Sequence, residues 1–280
     1  MTWLLEPLSY SFFERGLLVG VLLGCICGAI GCFVVLRGMA FIGDALSHAV
    51  LPGVVLAYLG GASIVLGAFA AGMVTAALIS AISRTGQVKE DTAIGIVFTG
   101  AFALGIVLIS RVQGYMRDLS HFLFGNILGI APTDVVVTAA TALVVLAALA
   151  LWYRPLLISS FDPTHAQVIG VRLGALHMGL LALLALTIVV GIQAVGVVLI
   201  AALLITPAAT ARLLTDRLGR MVGLAMLLGS GAALVGLYTS YYLGIASGGA
   251  VVLTSTLGFV VALVCAPQRG LIARWRFAKS

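Results

Sequence analysis

Unbroken apolar runs, rather than alternating polar and apolar positions, set the pattern of this chain. Stretches near 15–36, 42–59, 62–83, 92–110, 134–152, 173–193, 195–214, 220–240 and 249–266 are each almost wholly apolar, with short polar or glycine-bearing connections between them. A membrane-crossing helix needs about 17 to 25 such residues, whereas a barrel strand would alternate. The pattern predicts an all-α polytopic membrane protein of about nine transmembrane helices (eight to ten). Two of these spans hold a proline: Pro52 in the second, and Pro207 after Thr206 in the seventh. Proline removes the N–H that would bond four residues back. The spacing therefore predicts two broken helices, with the carbonyls of His48 and Leu203 released, and interrupted spans are pointers to a transport path.

Composition agrees with the pattern. Of 280 residues, 62% are hydrophobic and 9% charged, against roughly 25% charged in a soluble domain. We expect one transmembrane domain over 1–280. The start of the chain, Met1 to Gly16, carries Glu6 and Glu14 and no basic stretch, so it is not expected to be a cleaved signal.

The net charge of +6 matters less than its placement. Alternating sides span by span puts every Lys and Arg on one side except Arg15, Arg111 and Arg117. The positive-inside rule then predicts the N-terminus outside and the C-terminus in the cytoplasm. Basic residues scattered between spans argue against nucleic acid as a partner. Gly16, Gly20, Gly24 and Gly28 form a stripe along one face of the first span, suited to close helix packing. Cys25, Cys27, Cys32 and Cys265 have no zinc or disulfide spacing and read as small packing residues.

The candidate chemistry lies in the second span, Gly43-Asp44-Ala45-Leu46-Ser47-His48-Ala49-Val50-Leu51-Pro52-Gly53. On a helix, Asp44 and His48 fall one turn apart on one face. Ionisable groups at such positions are costly to bury and line ion or substrate paths. Counting helical rise from Arg37 puts them about 10 to 16 Å into the membrane. A carboxylate, an imidazole and a freed carbonyl at one level suit a divalent cation.

Two connections read as more than loops. The segment near 111–133, with Asp118 and His121, is too apolar for a free loop and is expected to lie at the outer interface. Between the fifth and sixth spans, Asp162 suits an N-cap, Pro163 the first helical position and Gly170 a terminator. This predicts a short helix outside the membrane near 162–170, without catalytic residues, suited to docking. The charges of Arg84 to Asp91 read as a solvated turn.

Taken in order, several motifs resemble those of the permease subunits of bacterial ATP-binding-cassette importers for manganese, zinc and iron. They are Leu36-Arg37, Gly43 to Ala49 with Leu51-Pro52-Gly53, Leu123-Phe124-Gly125-Asn126, Phe161-Asp162-Pro163 with Gly170, and Leu203 to Ala209. The resemblance covers nearly the whole chain and implies a type II importer-like permease in the bacterial plasma membrane. It further implies a homodimer, two separate cytoplasmic ATP-binding subunits and an extracytoplasmic metal-binding protein. It assigns metal contact to Asp44 and His48, and ATPase coupling to the helix holding Asp162, Pro163, Ala166 and Gly170. The Leu-Phe-Gly-Asn motif tilts the cargo toward manganese, with zinc or iron(II) as the alternatives; no permanently bound cofactor is implied.

The chain has no G-x-x-x-x-G-K-[ST], so nucleotide chemistry is expected in a partner, and no H-E-x-x-H, which argues against a membrane metalloprotease. A siderophore- or cobalamin-type permease and a stand-alone secondary transporter remain the competing readings.

Overall fold

The computed structural model describes residues 6–110 and 129–266. Twelve α-helices carry the architecture. In chain order they are α1 (Ser11–Leu36), α2 (Ile42–Ala49), α3 (Leu51–Leu59), α4 (Ile64–Arg84), α5 (Glu90–Ile109), α6 (Pro132–Leu151), α7 (Tyr153–Phe161), α8 (Pro163–Val168), α9 (Leu173–Val195), α10 (Val197–Leu214), α11 (Leu218–Leu243) and α12 (Ser247–Cys265). Among the described residues no strand occurs, and nine spans are long and apolar enough to cross a membrane, with α2 and α3 together forming the second.

The bundle is built around α1, α2–α3 and α9, whose surfaces are mostly buried, while α5, α6 and α12 expose most of theirs. Helix α1 packs on α11 and α10, and α9 packs on α4 and α6. Small residues set the closest of these contacts. A Cβ added at Gly24 of α1 would lie 2.5 Å from the Gly229 carbonyl carbon of α11, and one at Gly28 would lie 2.5 Å from the Ala225 carbonyl oxygen. Where side chains would hold helices apart, these glycines let backbones meet. Two polar bonds reinforce the same helix: Ser230 Oγ donates to the Val21 carbonyl at 3.1 Å, and Arg212 donates to the Val35 carbonyl at 3.1 Å. The second adds to the Gly38 N–H bond that the Val35 carbonyl accepts at the end of α1.

The two prolines behave differently from each other: the expected break appears near Pro52 and not at Pro207. Pro52 stands in the first turn of a new helix, α3, where a missing N–H costs nothing. The second span is therefore two helices jointed at Val50, whose backbone stays in the right-handed region. At Pro207 the expected second break does not occur: α10 runs continuously from Val197 to Leu214. Neighbouring helices can hold a proline-bearing membrane helix together, and Pro207 and Ala208 are both buried in such contacts.

Cys27 and Cys32 are buried as packing residues, and Cys32 Sγ lies 3.2 Å from the Gly28 carbonyl it bonds. Cys265, at the end of α12, is exposed, contrary to that reading. The segment near 111–133 falls largely outside the described residues, Asp118 and His121 included.

Candidate metal site

Helix α2 starts only at Ile42, after a turn over residues 38–41 that Gly38 permits with φ +74°. Rise counted from Arg37 is thus the wrong measure of depth, and the neighbours supply a better one. Gly43 lies against the Leu204 side chain, the eighth residue of the eighteen in α10. His48 lies against Phe98 and Phe102, near the middle of the twenty-residue α5. The pair is level with the centres of two spans.

Asp44 Oδ1 and His48 Nδ1 are 3.6 Å apart, and Nδ1 is also 3.0 Å from the Asp44 backbone carbonyl. A carbonyl oxygen can only accept, so Nδ1 carries the proton and Nε2 keeps its lone pair. That fixes the imidazole's tautomer and orientation and leaves Nε2 as the ring atom with a free electron pair, the arrangement an outer hydrogen bond gives a ligating histidine. The rings of Phe98 and Phe102 meet the imidazole edge-on, with centroids 5.8 and 5.5 Å away. Their packing limits its rotation. Sequence reading missed both, although their spacing of four on one helix was visible.

The carboxylate is half-exposed, 51% by side chain, and the imidazole 23%. Among the described residues no group of three or more His, Cys, Asp or Glu side chains is placed to hold a metal ion. One chain therefore offers two donors on an open face.

The other candidates lie elsewhere. Thr206 accepts from Thr210 Oγ1 through its carbonyl at 2.7 Å. Pro207 lines a cavity of about 240 Å³ between α10, α11 and α12 with Thr210, Leu227 and Thr254, a set that excludes Asp44 and His48. The short helix α8 forms as its sequence predicts. Asp162 caps it by accepting from the His165 N–H at 2.8 Å, Pro163 is its first residue, and Gly170 follows with φ +86°. Ala166 is fully buried and turns inward, so it seats the helix on the bundle instead of facing a partner. Around it Phe161, Val168 and Ile169 are 62%, 80% and 50% exposed.

A charged cluster sits where α1 ends and α5 begins. Arg37 donates to His177 Nδ1 at 3.3 Å and to Ser159 Oγ at 2.9 Å, and His177 Nε2 stands 3.3 Å from Glu90 Oε1. Burial pushes the Arg37 guanidinium below its usual value, and the charge of Glu90 partly restores it. Glu90 is therefore not part of a merely solvated turn.

This bundle of membrane-crossing helices around an acid–imidazole turn is that of a membrane permease. The chain belongs to the ABC 3 transport family, whose profile matches residues 9–266, and it is a multi-pass protein of the bacterial plasma membrane. It is 50% identical over 272 residues to the manganese transport system membrane protein MntC of Halalkalibacterium halodurans, covering 97% of this chain and 93% of that protein. It is 42% identical over 259 residues to the chelated iron transport system membrane protein YfeD of Yersinia pestis, covering 92% and 87%. Among solved structures it matches PsaBC from Streptococcus pneumoniae in complex with Fab, with TM-score 0.86, 37% identity and coverage of 100% and 99%.

Proposed function

We propose that this chain is the permease subunit of an ATP-driven importer for manganese, and that Asp44 and His48 are its contact with the ion in transit. The observation that carries the reading is the half-exposed carboxylate beside an oriented imidazole, level with the centres of α5 and α10. A carboxylate does not face hydrocarbon without a partner. Its open side therefore needs water or protein, and two donors are too few for a divalent ion. A second copy of the chain answers both needs, bringing two carboxylates and two imidazoles to one twofold passage. The names of the manganese relatives favour that metal, and oxygen-plus-nitrogen donors accept it. Iron, as in the name of the chelated-iron relative, is the second reading.

The distribution of Lys and Arg supports an outside N-terminus, which makes the end bearing Leu36, Glu90 and α8 cytoplasmic. Exposed apolar side chains outside the spans mark a docking surface. Phe161, Val168 and Ile169 around α8 fit a cytoplasmic ATP-binding subunit, one per permease copy. An extracytoplasmic metal-binding protein would deliver the ion at the opposite end.

The test is radioactive manganese uptake in cells lacking their own importer, with Asp44→Asn and His48→Ala made separately and iron and zinc as competitors. Each variant should lose uptake at least about tenfold, as expected when a ligand is removed, while the complex still assembles. Uptake surviving in both would defeat the assignment.

A further inference from the structure

Four residues far apart in sequence meet at the cytoplasmic end, and each belongs to an element with a different task. Ser159 lies in α7, three residues before the cap of α8; His177 lies in α9, seven residues after Gly170. Arg37 closes α1 and leads through the Gly38 turn into α2, which holds Asp44 and His48. Glu90 begins α5, whose Phe98 and Phe102 pack on His48. The cluster therefore touches both flanks of the docking helix and both elements that form the ion site.

We propose that Arg37, His177, Glu90 and Ser159 are positioning residues forming a two-state joint, through which movement of α8 is passed to the helices that carry and cover the ion site. In the present arrangement Arg37 reaches Glu90 only through His177. A guanidinium can only donate, so His177 Nδ1 accepts and Nε2–H faces Glu90 Oε1. Arg37 Nε is buried without a hydrogen-bond partner among the described residues, and Glu90 Oε1, also buried, meets His177 Nε2 at 3.3 Å without the geometry of a hydrogen bond. Buried polar groups are normally satisfied, so this half-satisfied network is not the only arrangement the cluster serves. In the alternative state Arg37 pairs directly with Glu90, two-pronged, which satisfies Nε and Oε1 together. The space exists: a cavity of about 510 Å³ is lined by Arg37, Glu90, Ser159, His177 and Pro163, the first residue of α8. A network with two discrete bonding patterns, biased at one side by docking and at the other by the ion, is what coupling between sites requires physically.

The inference rests on the reading of Asp44, His48 and α8 given above, and its test separates the two. The complete importer, with ATP-binding subunits and metal-binding protein, is placed in proteoliposomes, and manganese ions moved per ATP hydrolysed are measured. Arg37→Gln and Glu90→Gln should each lower that ratio at least about tenfold, within the usual range of coupling effects. Bound ATP-binding subunits and equilibrium manganese binding should stay within about twofold of the parent, since neither variant touches either site. The double variant should be no worse than the poorer single, because both act through one pair. Arg37→Lys, which keeps charge but not the fork, should recover only part of the loss. Where Arg37→Gln fails to assemble, Ser159→Ala and Glu90→Gln carry the test, with Ser159→Ala expected to lose about threefold. An unchanged ratio in the assembled variants overturns the joint, as do losses that multiply in the double. Loss of ion binding or of bound ATP-binding subunits in proportion to transport also overturns it. Failure of the ion-site reading shows instead in Asp44→Asn and His48→Ala.

Discussion

The backbone of Leu204 in α10 rests on Gly31 of α1 so closely that a Cβ at Gly31 would overlap the Leu204 carbonyl oxygen. The same leucine's side chain fills the space above Gly43 in α2. One residue of α10 thus spaces both the central helix and the helix of the proposed ion site. A methyl at Gly31 meets backbone, which cannot swing aside, whereas one at Gly43 meets the tip of a flexible side chain. Gly31→Ala should lower thermal stability in detergent by about 1–3 kcal/mol or more, the usual cost of overpacking. Gly43→Ala should fold nearly normally yet transport less, because Asp44 moves with its neighbour.

The α1–α11 seam supplies an internal control. Gly24→Ala and Gly229→Ala put a methyl into opposing backbone and should each destabilise by a similar 1–3 kcal/mol, roughly. Gly223, also in α11, has open space where its Cβ would be. Gly223→Ala should instead stabilise by up to about 1 kcal/mol through helix propensity. Equal effects at all three would mean the seam is not where the structure puts it.

Phe102 packs edge-on against the imidazole and has no ligand atom of its own. Phe102→Ala frees the ring edge and should lower uptake about two- to tenfold, the worth of one aromatic contact. Phe102→Leu should retain more, since it keeps the bulk. Affinity for manganese measured on the assembled importer should fall in the same order.

Helix α8 depends on its cap. Asp162→Ala should cost about 1 kcal/mol of local stability and weaken ATP-binding-subunit association about fivefold, while Asp162→Asn should be near neutral. Ala166→Leu should be worse than either, because a buried seat has no room for it. Pull-down of the ATP-binding subunit from solubilised membranes reads all three.

Exposed Cys265 offers a test of orientation. A membrane-impermeant maleimide should label it in inverted vesicles and not in intact cells, and Cys265→Ser should remove the signal. Labelling from intact cells would place the C-terminal end outside.

Span positions could be read directly, because each is one long apolar run with charged or glycine ends. Asp44 and His48 stood out for the same reason: charge is conspicuous against such a background. What escaped notice had no local contrast. Helix α7, Tyr153–Phe161, starts just past the apolar run that ends at 152, and no side-chain cap marks its beginning. Phe98 and Phe102 looked like ordinary packing aromatics. Arg37 and His177 are 140 positions apart, one just past the first span and the other near the start of the sixth; only tertiary contact joins them. The continuity of α10 through Pro207 was likewise decided by neighbours rather than by the residue.

The acid, the imidazole and the carbonyl that holds it all belong to one turn of one helix. Such a turn is a compact claw: the hydrogen bond that sets its bite lies within one helix, and only the α5 aromatics steady it from outside. When helices tilt during a transport cycle, the claw can be carried bodily, presenting an unchanged grip first to one side of the membrane and then to the other. In the proposed dimer, release would then come from parting the two claws of the pair, not from deforming either one.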